Sequence, residues 1–401
     1  MLQRDCTAKM LDMEHAEIIN VEMGVSEIII DTQMKRRMHT CPVCETQTDE
    51  IHDYRIQIVK DLPVQGKKLR WRYRKRRYRC IGCGKRFYEN NYLLPKWHRI
   101  TNRMTAFCLL EFGKKCSQAD IAKGLGVSPS TVGRWLKLLG FAKPNSLPGV
   151  LSIDEFRGNT DRGKFQCILT APTEKAVFDI LPTRYSNDIS SYFRSFSNRQ
   201  DVRYVVMDMN KEYLAIAKHH FPQAKIVIDK FHVVRYSTWA FENVRKRVQS
   251  RLLPGDRKYF KRSRKLLLAH MQNLSADSKA AVERMLLVSD DLGDAYLLKE
   301  KFYEFMASKD SVQGKERLRA FRMFALAVNL PEFEPCLTML QNWEPYILNA
   351  FDCSLSNAFT EGANNTIKVL KRVAYGYHNF DNFRRRILTV LNTKMEPITF
   401  S

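Results

Sequence analysis

The stretch VLSIDEFRGNTDRGKFQCILTAPTEKAVFDILPT, residues 150–183, decides how the fold is read. VLSIDEF is a short apolar run bounded by polar turn residues, which predicts a buried strand carrying Asp154. KFQCILTAPTEKAVFDILPT, from Lys164 to Thr183, predicts two antiparallel strands about a turn at Thr173 to Lys175. Downstream come a helix near Asn187 to Phe196, a strand RYVVMD ending on Asp208, a helix from about Lys211 to His220, and a strand KIVID ending on Asp229.

Three strands, helix, strand, helix, strand is the element order of a ribonuclease-H-like α/β fold. In that order the first and fourth strands lie side by side, so Asp154 and Asp208 are expected to meet at one edge of the sheet. Acids placed there suit phosphodiester chemistry. Two metal ions about 3.5 to 4 Å apart can activate the attacking oxygen and stabilise the leaving one. Mg²⁺ takes oxygen ligands and keeps several waters, so two or three carboxylates suffice. The third is expected from a late helix, SNAFTEGANNTIKVLKR, where Glu361 shares a face with Asn365, Lys368 and Arg372. Those three partners, Asn365, Lys368 and Arg372, could hold the metal-bound strand.

A single Asp at a strand end is ordinarily a turn or cap residue, and the order of elements is what gives these acids meaning. Asp229 competes with Asp208 for the second position, since both end apolar strands; topology favours Asp208. In DKFH, Asp229 and His232 are three residues apart and could face the same cleft as auxiliary groups, or Asp229 could simply cap a helix. Glu155 is expected on the opposite face of its strand. Between about 240 and 350 the chain turns helical and basic, as in VRKRVQSRLLPGDRKYFKRSRKLLLAHM and KERLRAFRMFALAVNL, an insertion that separates the second Asp from Glu361. Its apolar residues at three and four spacing are expected in a core, with Arg262, Arg264 and Lys265 left as possible DNA contacts.

Upstream, the Pro- and Gly-bearing AKPNSLPGV marks a domain boundary, and SQADIAKGLGVSPSTVGRWLKLL, from Ser117 to Leu139, carries helix-turn-helix spacing. Ile121, Ala122 and Leu125 face inward, Gly126 permits the left-handed turn, Val127 tucks in, Ser128 caps the second helix with Pro129 at its first position, and Val132, Leu136 and Leu139 return to the core. Ser130, Thr131, Arg134 and Lys137 would then face a major groove. The plain alternative is an ordinary helical hairpin.

Further upstream are two CxxC pairs, Cys41 with Cys44 and Cys80 with Cys83. Four thiolates close a tetrahedral structural Zn²⁺ site with no open position for chemistry. A redox dithiol is the alternative. The 35 residues between Cys44 and Cys80 exceed a usual zinc-ribbon loop, but HDYRIQIV and KKLRWRYRKRRYRC read as strands with a Pro63 to Gly66 turn between them. The other six cysteines, Cys6, Cys108, Cys116, Cys167, Cys336 and Cys353, are expected as small core residues or surface thiols.

From Arg55 to Arg103 there are 16 Lys or Arg against two acids, Asp61 and Glu89, with Trp71, Tyr73, Tyr78, Phe87, Tyr88, Tyr92 and Trp97 interleaved. Cations neutralise phosphates, while aromatics can pack against sugars, bases or the core. By alternation Arg70, Arg72, Arg74 and Arg76 share one strand face, a basic stripe suited to a phosphate backbone or, more plainly, a solvated face. The whole chain agrees with a polyanionic partner: 66 Lys+Arg against 43 Asp+Glu give a formal charge of +23. A membrane surface is the weaker candidate, because no basic amphipathic helix with an aromatic face stands out and no apolar tract is long enough to span a bilayer. MLQRDCTAKM lacks the pattern of a secretory signal, so a reducing compartment is expected.

The expected organisation is a zinc-binding basic β domain (1–99), a helix-turn-helix DNA-binding domain (100–143), the first part of the ribonuclease-H-like core (150–240), an all-α insertion (241–350) and the last part of the core (351–401).

The residues resemble the DDE transposases of the ISL-three insertion-sequence family. The motifs that carry the resemblance are CPVC, HDYR, DLPVQGKK, RKRRYRCIGCGKRF, SIDEF, DMNKEY, DKFHVVR, KRSRKLLL and TEGANNTIKVLKR, which run over nearly the whole chain. The resemblance implies a zinc-binding and helix-turn-helix front end that recognises transposon ends. It also implies that Asp154, Asp208 and Glu361 match the catalytic acids, with two Mg²⁺ ions per site and Mn²⁺ able to stand in. DKFH looks like the auxiliary Asp-x-x-His motif of related transposases. Partners would be double-stranded DNA, both element ends and target, and further copies of the chain, because two ends must be paired. The expected location is the bacterial cytoplasm, associated with the nucleoid. Two other functions remain open from sequence: a transposase-derived DNA-binding regulator whose acids serve only structure, and a nuclease or RNA-processing enzyme on the same core.

Overall fold

The computed structural model describes residues 8–392 except Met10, Glu14 and Ser354, so Cys6 lies outside the described residues. The chain divides into two compact units, one made of 1–141 with 368–401 and the other of 142–367. The expected last core segment, 351–401, is therefore shared between them, the division falling inside one helix.

In the first unit, strands β1 (Ala16–Met23), β2 (Glu27–Met34), β5 (Ile51–Val64), β6 (Lys67–Arg79) and β7 (Arg86–Tyr88) form a sheet in the order β1-β2-β6-β5, with β7 paired to β6. A small hairpin of β3 (His39–Thr40) and β4 (Gln47–Thr48) stands apart from it. Period-two patterning builds the sheet's core: Ile28, Ile30, Thr32 and Met34 of β2 are buried, as are Leu69, Trp71 and Tyr73 of β6. The β5–β6 hairpin closes at Gln65 and Gly66, both left-handed with φ of 51° and 75°. Two such residues make the turn whose twist matches that of paired strands. Pro63 falls within β5 where the pairing register shifts, a place that needs no amide donor.

Helices α1 (Asn102–Glu111), α2 (Gln118–Leu125) and α3 (Pro129–Leu136) follow. Their ends are written in the sequence: Ser117 and Asp120 form a reciprocal capping box on α2, Gly126 ends it at φ 65°, and Ser128 caps α3 ahead of Pro129. Met104, Cys108, Phe112, Ile121, Ala122, Leu125, Val132 and Leu136 make one small core. Leu139 lies beyond the end of α3 and is half-buried. The last helix among the described residues, Phe380–Asn392, brings Arg386 into this unit, 1% exposed, where it donates to the carbonyls of Phe112, Lys114 (2.6 Å) and Cys116 (2.7 Å). Phe112 is the C-cap of α1, and Lys114 and Cys116 lie in the connection to α2, so the guanidinium satisfies one helix-end carbonyl and two loop carbonyls.

The second unit is built on β8 (Val150–Phe156), β9 (Gln166–Ala171), β10 (Ala176–Leu181), β11 (Tyr204–Met207) and β12 (Lys225–Ile228), in the order β10-β9-β8-β11-β12. The pairings β10–β9 and β9–β8 are antiparallel, whereas β8–β11 and β11–β12 are parallel. Helices α4 (Ser186–Arg194) and α5 (Lys211–His220) supply the crossovers. One face of the sheet, including Leu151, Ile153, Val205, Met207 and Ile228, joins a large core with α4, α5 and α6 (Lys230–Ser250). The other face, with Val150, Val206 and Val227, packs with Ala350. Strands covered on both faces read as continuous apolar runs, as VLSIDEF does.

A helical block continues through α7 (Pro254–Arg262), α8 (Arg264–Leu268), α9 (Ala276–Leu286), α10 (Asp290–Met306), α11 (Ser311–Val328) and α12 (Glu334–Leu348) before α13 (Ala358–Val373). Its apolar positions are in the same core, among them Leu292, Phe302, Phe321 and Leu340. No helix among the described residues is long and apolar enough to cross a membrane.

Candidate active site and zinc centre

Strand parity places the acids. In the parallel pair, Val150 faces Tyr204, Ser152 faces Val206 and Ile153 faces Met207. One residue further, Asp154 and Asp208 leave adjacent strands side by side. Asp154 shares the side of β8 that carries Val150 and Ser152. Helix α13 lies against that side: Ser152 Oγ donates to Asn357 Oδ1 at 2.6 Å, Thr360 Oγ1 donates to Ser152 Oγ at 3.2 Å, and Asn364 Nδ2 donates to Asp154 Oδ2 at 2.8 Å. Glu361 occupies the first turn of the same helix, half-buried, between Thr360 and Asn364.

Asp154 is 8% exposed and its Oδ1 accepts the Glu155 amide at 2.7 Å. Burial, and then the charge of Asp208, push its carboxyl up to about 7. Asp208 is likewise pushed up to about 7, by burial first and then by Asp229, Glu155 and Glu361. Four carboxylates thus concentrate negative potential around Asp208.

Asp229 takes both of the positions that the sequence left as alternatives. It caps α6, accepting the Phe231 amide at 3.4 Å, and it joins Asp208 and His232 in a group whose ligand atoms all lie within 4.8 Å of one another. His232 Nε2 is 3.2 Å from Asp208 Oδ1, at ion-pair distance but without hydrogen-bond alignment. Asp208 Oδ1 and Asp229 Oδ2 are therefore buried oxygens with no donor. Buried carboxylate oxygens that accept no hydrogen bond and are set this close to one another and to an imidazole fit a divalent cation.

Two features of the site escape a sequence reading. Asn364, rather than Asn365, reaches the acids: Asn364 is buried and Asn365 exposed. Positions three and four residues beyond Glu361 are equally near its face, and only the packing of α13 on β8 selects between them. Glu155, placed by alternation on the other face, ion-pairs with Arg184 at 2.9 Å yet still adds to the field at Asp208. Lys368 and Arg372 lie about two and three turns further along α13, and both are exposed.

The four cysteines of the CxxC pairs converge in the first unit. Cys41 Sγ is 3.6 Å from Cys83 Sγ, Cys44 Sγ is 3.4 Å from Cys80 Sγ, and all four lie within 4.8 Å. The two turns are built alike. Glu45 donates its amide to Cys41 O and Gly84 to Cys80 O, and both are left-handed, at φ 59° and 72°. A matched pair of thiolate turns facing one point suits a closed tetrahedral ion rather than a redox dithiol.

The basic stripe expected on β6 needs correction. The buried side of the strand passes from Leu69, Trp71 and Tyr73 to Arg76 and Tyr78. Arg76, 5% exposed, pairs with buried Glu89 at 3.4 Å, so it is a core residue. Arg70 pairs with Glu27, and Arg72 with Asp31 and Glu22, while exposed Arg74 lies 3.9 Å from the Tyr54 ring centroid. The alternation ignored the acids on β1 and β2. On α3, Ser130 and Arg134 are exposed and Thr131 is half-buried, and Lys137, the C-cap of α3, is exposed. In the helical block Arg264 pairs with Glu242 at 2.6 Å.

Residues 151–387 match a family model described as transposase, and residues 37–83 match one described as the zinc-finger of transposase IS204/IS1001/IS1096/IS1165. The transposase for insertion sequence element IS1001 of Bordetella parapertussis is 25% identical over 356 residues, 86% of this chain and 87% of that one. A Lactococcus lactis subsp. lactis protein named as an ATP-dependent protease is 36% identical over 131 residues, 32% of this chain and 37% of that one.

Proposed function

Because the chain belongs to the ISL-three family of transposases, we propose that it binds the ends of an insertion sequence and catalyses Mg²⁺-dependent cleavage and strand transfer. The observation that carries this reading is the meeting of Asp154 and Asp208 on adjacent parallel strands beneath the helix that bears Glu361. The sheet order, three antiparallel strands extended by two parallel ones, supports a ribonuclease-H-like core.

Asp154, Asp208 and Glu361 would hold two Mg²⁺ ions, with Asp229 and His232 as auxiliary groups. When bound, these ions activate the attacking oxygen and stabilise the leaving one. The chain's own residues prepare the acids. The Glu155 amide and Asn364 hold both oxygens of Asp154 in one orientation, and each donor favours the ionised form. Asp208 and Asp154 repel each other, so the pair is poised to exchange protons for cations near neutral pH. His232 stands beside Asp208 as a nearby proton acceptor or ligand.

For DNA, we read α2 and α3 as a helix-turn-helix that presents Ser130, Thr131, Arg134 and Lys137 to a major groove. A zinc ion on the four cysteines would tie the β3–β4 turn to the β6–β7 turn, Arg74 remains available to phosphate, and Lys368 and Arg372 would hold the strand near Glu361. Pairing two element ends requires more than one copy of the chain.

The deciding assay is cleavage and joining of element-end duplexes in Mg²⁺, with Asp154→Ala beside the native protein. Undiminished activity in the variant would remove the catalytic assignment. Sequence-specific binding without any metal-dependent cleavage by the native chain would favour a DNA-binding regulator.

A further inference from the structure

Of the aromatics interleaved with the basic front end, Trp71, Tyr73 and Tyr78 are spent on the core. Trp97 is not: it is 75% exposed, and its backbone is left-handed at φ 69°, an uncommon state for a bulky residue. It stands at a cleft of about 500 Å³ beside the first zinc turn, whose Thr40 and Pro42 form part of the wall. Tyr88 lies edge-on to Trp97 at 6.4 Å between centroids.

The charge around this cleft has one sign. Lys75, Lys85, Arg86 and Lys96 line it, and the acid that lines it, Glu89, is buried and already engaged by the Tyr73 hydroxyl at 2.5 Å and by Arg76. Lys75 Nζ lies 4.9 Å from the Tyr88 ring centroid, and Lys96 Nζ lies 5.6 Å from that of Trp97. Cations beside an open indole match a ligand that joins an anion to a flat ring. They disfavour a cationic ligand, and an apolar peptide would leave the lysines without anionic partners. The volume is that of a small-molecule site. Within a duplex the phosphates are offered but the base faces are stacked on one another, so internal pairs cannot use the indole.

We propose that this cleft binds an unpaired nucleotide of a DNA strand, the base stacked on Trp97 and its phosphates held by Lys75, Lys96 and Arg86. This rests on the reading that the chain handles DNA, and it adds a site for single-stranded character to the duplex-reading helices. Stacking on an aromatic ring tolerates any base, so the cleft would sense an unpaired tail rather than its sequence.

The test uses the zinc-loaded full chain and three probes: a duplex element end, the same duplex with a three-nucleotide unpaired tail carrying 2-aminopurine, and the isolated tail as a single-stranded oligonucleotide. The tail is expected to tighten binding about 5- to 50-fold over the blunt duplex and to quench the 2-aminopurine. Trp97→Ala removes both effects while leaving blunt-duplex affinity unchanged, and Trp97→Phe restores part of the gain. Trp97 is exposed, so these variants should fold; an unchanged melting temperature checks this. Equal affinity for blunt and tailed duplexes, or a tail effect that survives Trp97→Ala, overturns the proposal. If the native chain binds no duplex, the DNA-end reading fails separately. Trp97-dependent quenching of the isolated oligonucleotide would then still uphold the cleft, and its absence would reject it.

Discussion

Asn364 Nδ2 donates to Asp154 Oδ2 at 2.8 Å, joining a helix near the end of the chain to a strand 210 residues earlier. The same helix carries Glu361, so one bond couples the orientation of the first acid to the placement of the last.

Replacing Asn364 by Leu removes that donor and leaves Asp154 more desolvated. A hydrogen bond to a charged group contributes about 1.5 to 3 kcal/mol, so cleavage should fall roughly 10- to 100-fold. Losing a bond that favours the ionised form also raises the carboxyl further. The low-pH limb of the pH–rate profile should therefore move to higher pH, with Asn364→Gln less affected. A loss of rate with no movement of that limb would argue for a purely structural role.

The raised carboxyls make metal-free stability depend on pH in a defined direction. Asp208 is pushed from an ordinary carboxyl value of 3.8 to about 7, so the folded state binds more protons than the unfolded state in between. Its favourable contribution is full below pH 4 and is lost as pH rises through 7. In EDTA, Asp208→Asn should melt above the native protein at pH 8, with the difference closing by pH 4 to 5. Mg²⁺ should stabilise the native protein and leave the variant nearly unchanged. Melting curves by calorimetry at pH 5 and 8 decide it.

Cys80→Ser should cost about one bound zinc per chain by metal analysis, since three thiolates no longer close the site. Cys108→Ser should keep the zinc, because Cys108 is buried in the core of α1–α3 instead.

Arg134 and Arg76 should separate cleanly. Arg134→Ala, on exposed α3, is expected to weaken element-end binding and lower the salt slope by about one, with stability little changed. Arg76→Met strands the buried Glu89 carboxylate and should destabilise the first unit by about 3 to 5 kcal/mol. A lost salt slope in Arg76→Met with unchanged unfolding in urea would contradict this assignment.

Arg386→Leu should also destabilise the first unit, by about 3 kcal/mol, because three carbonyls at the end of α1 and in the connection after it lose their donor. Urea unfolding followed by helical circular dichroism measures it.

Much of this was legible in the chain itself. The strands of the second unit announce themselves as short apolar runs, two of them followed directly by Asp208 and Asp229, and the cap at Ser128, Pro129 at the first helical position and the left-handed Gly126 are local rules obeyed locally. The CxxC spacing fixes two thiolate turns without reference to the rest of the molecule, because each turn needs only its own four or five residues. What the sequence could not decide is whatever depends on a second element. Alternation put Arg76 on an open stripe, but the acid that buries it arrives from residue 89. Helical spacing put Asn365 on the face of Glu361, but the packing of α13 on β8 turns Asn364 to the acids instead. Asp208 and Asp229 looked like rivals because each ends an apolar strand. Strand order sets Asp208 beside Asp154, and the turn into α6 brings Asp229 and His232 to the same carboxylate. Local chemistry is carried by neighbours in the chain, whereas the potential at a buried acid is a sum over space, and only the tertiary structure fixes its contributors.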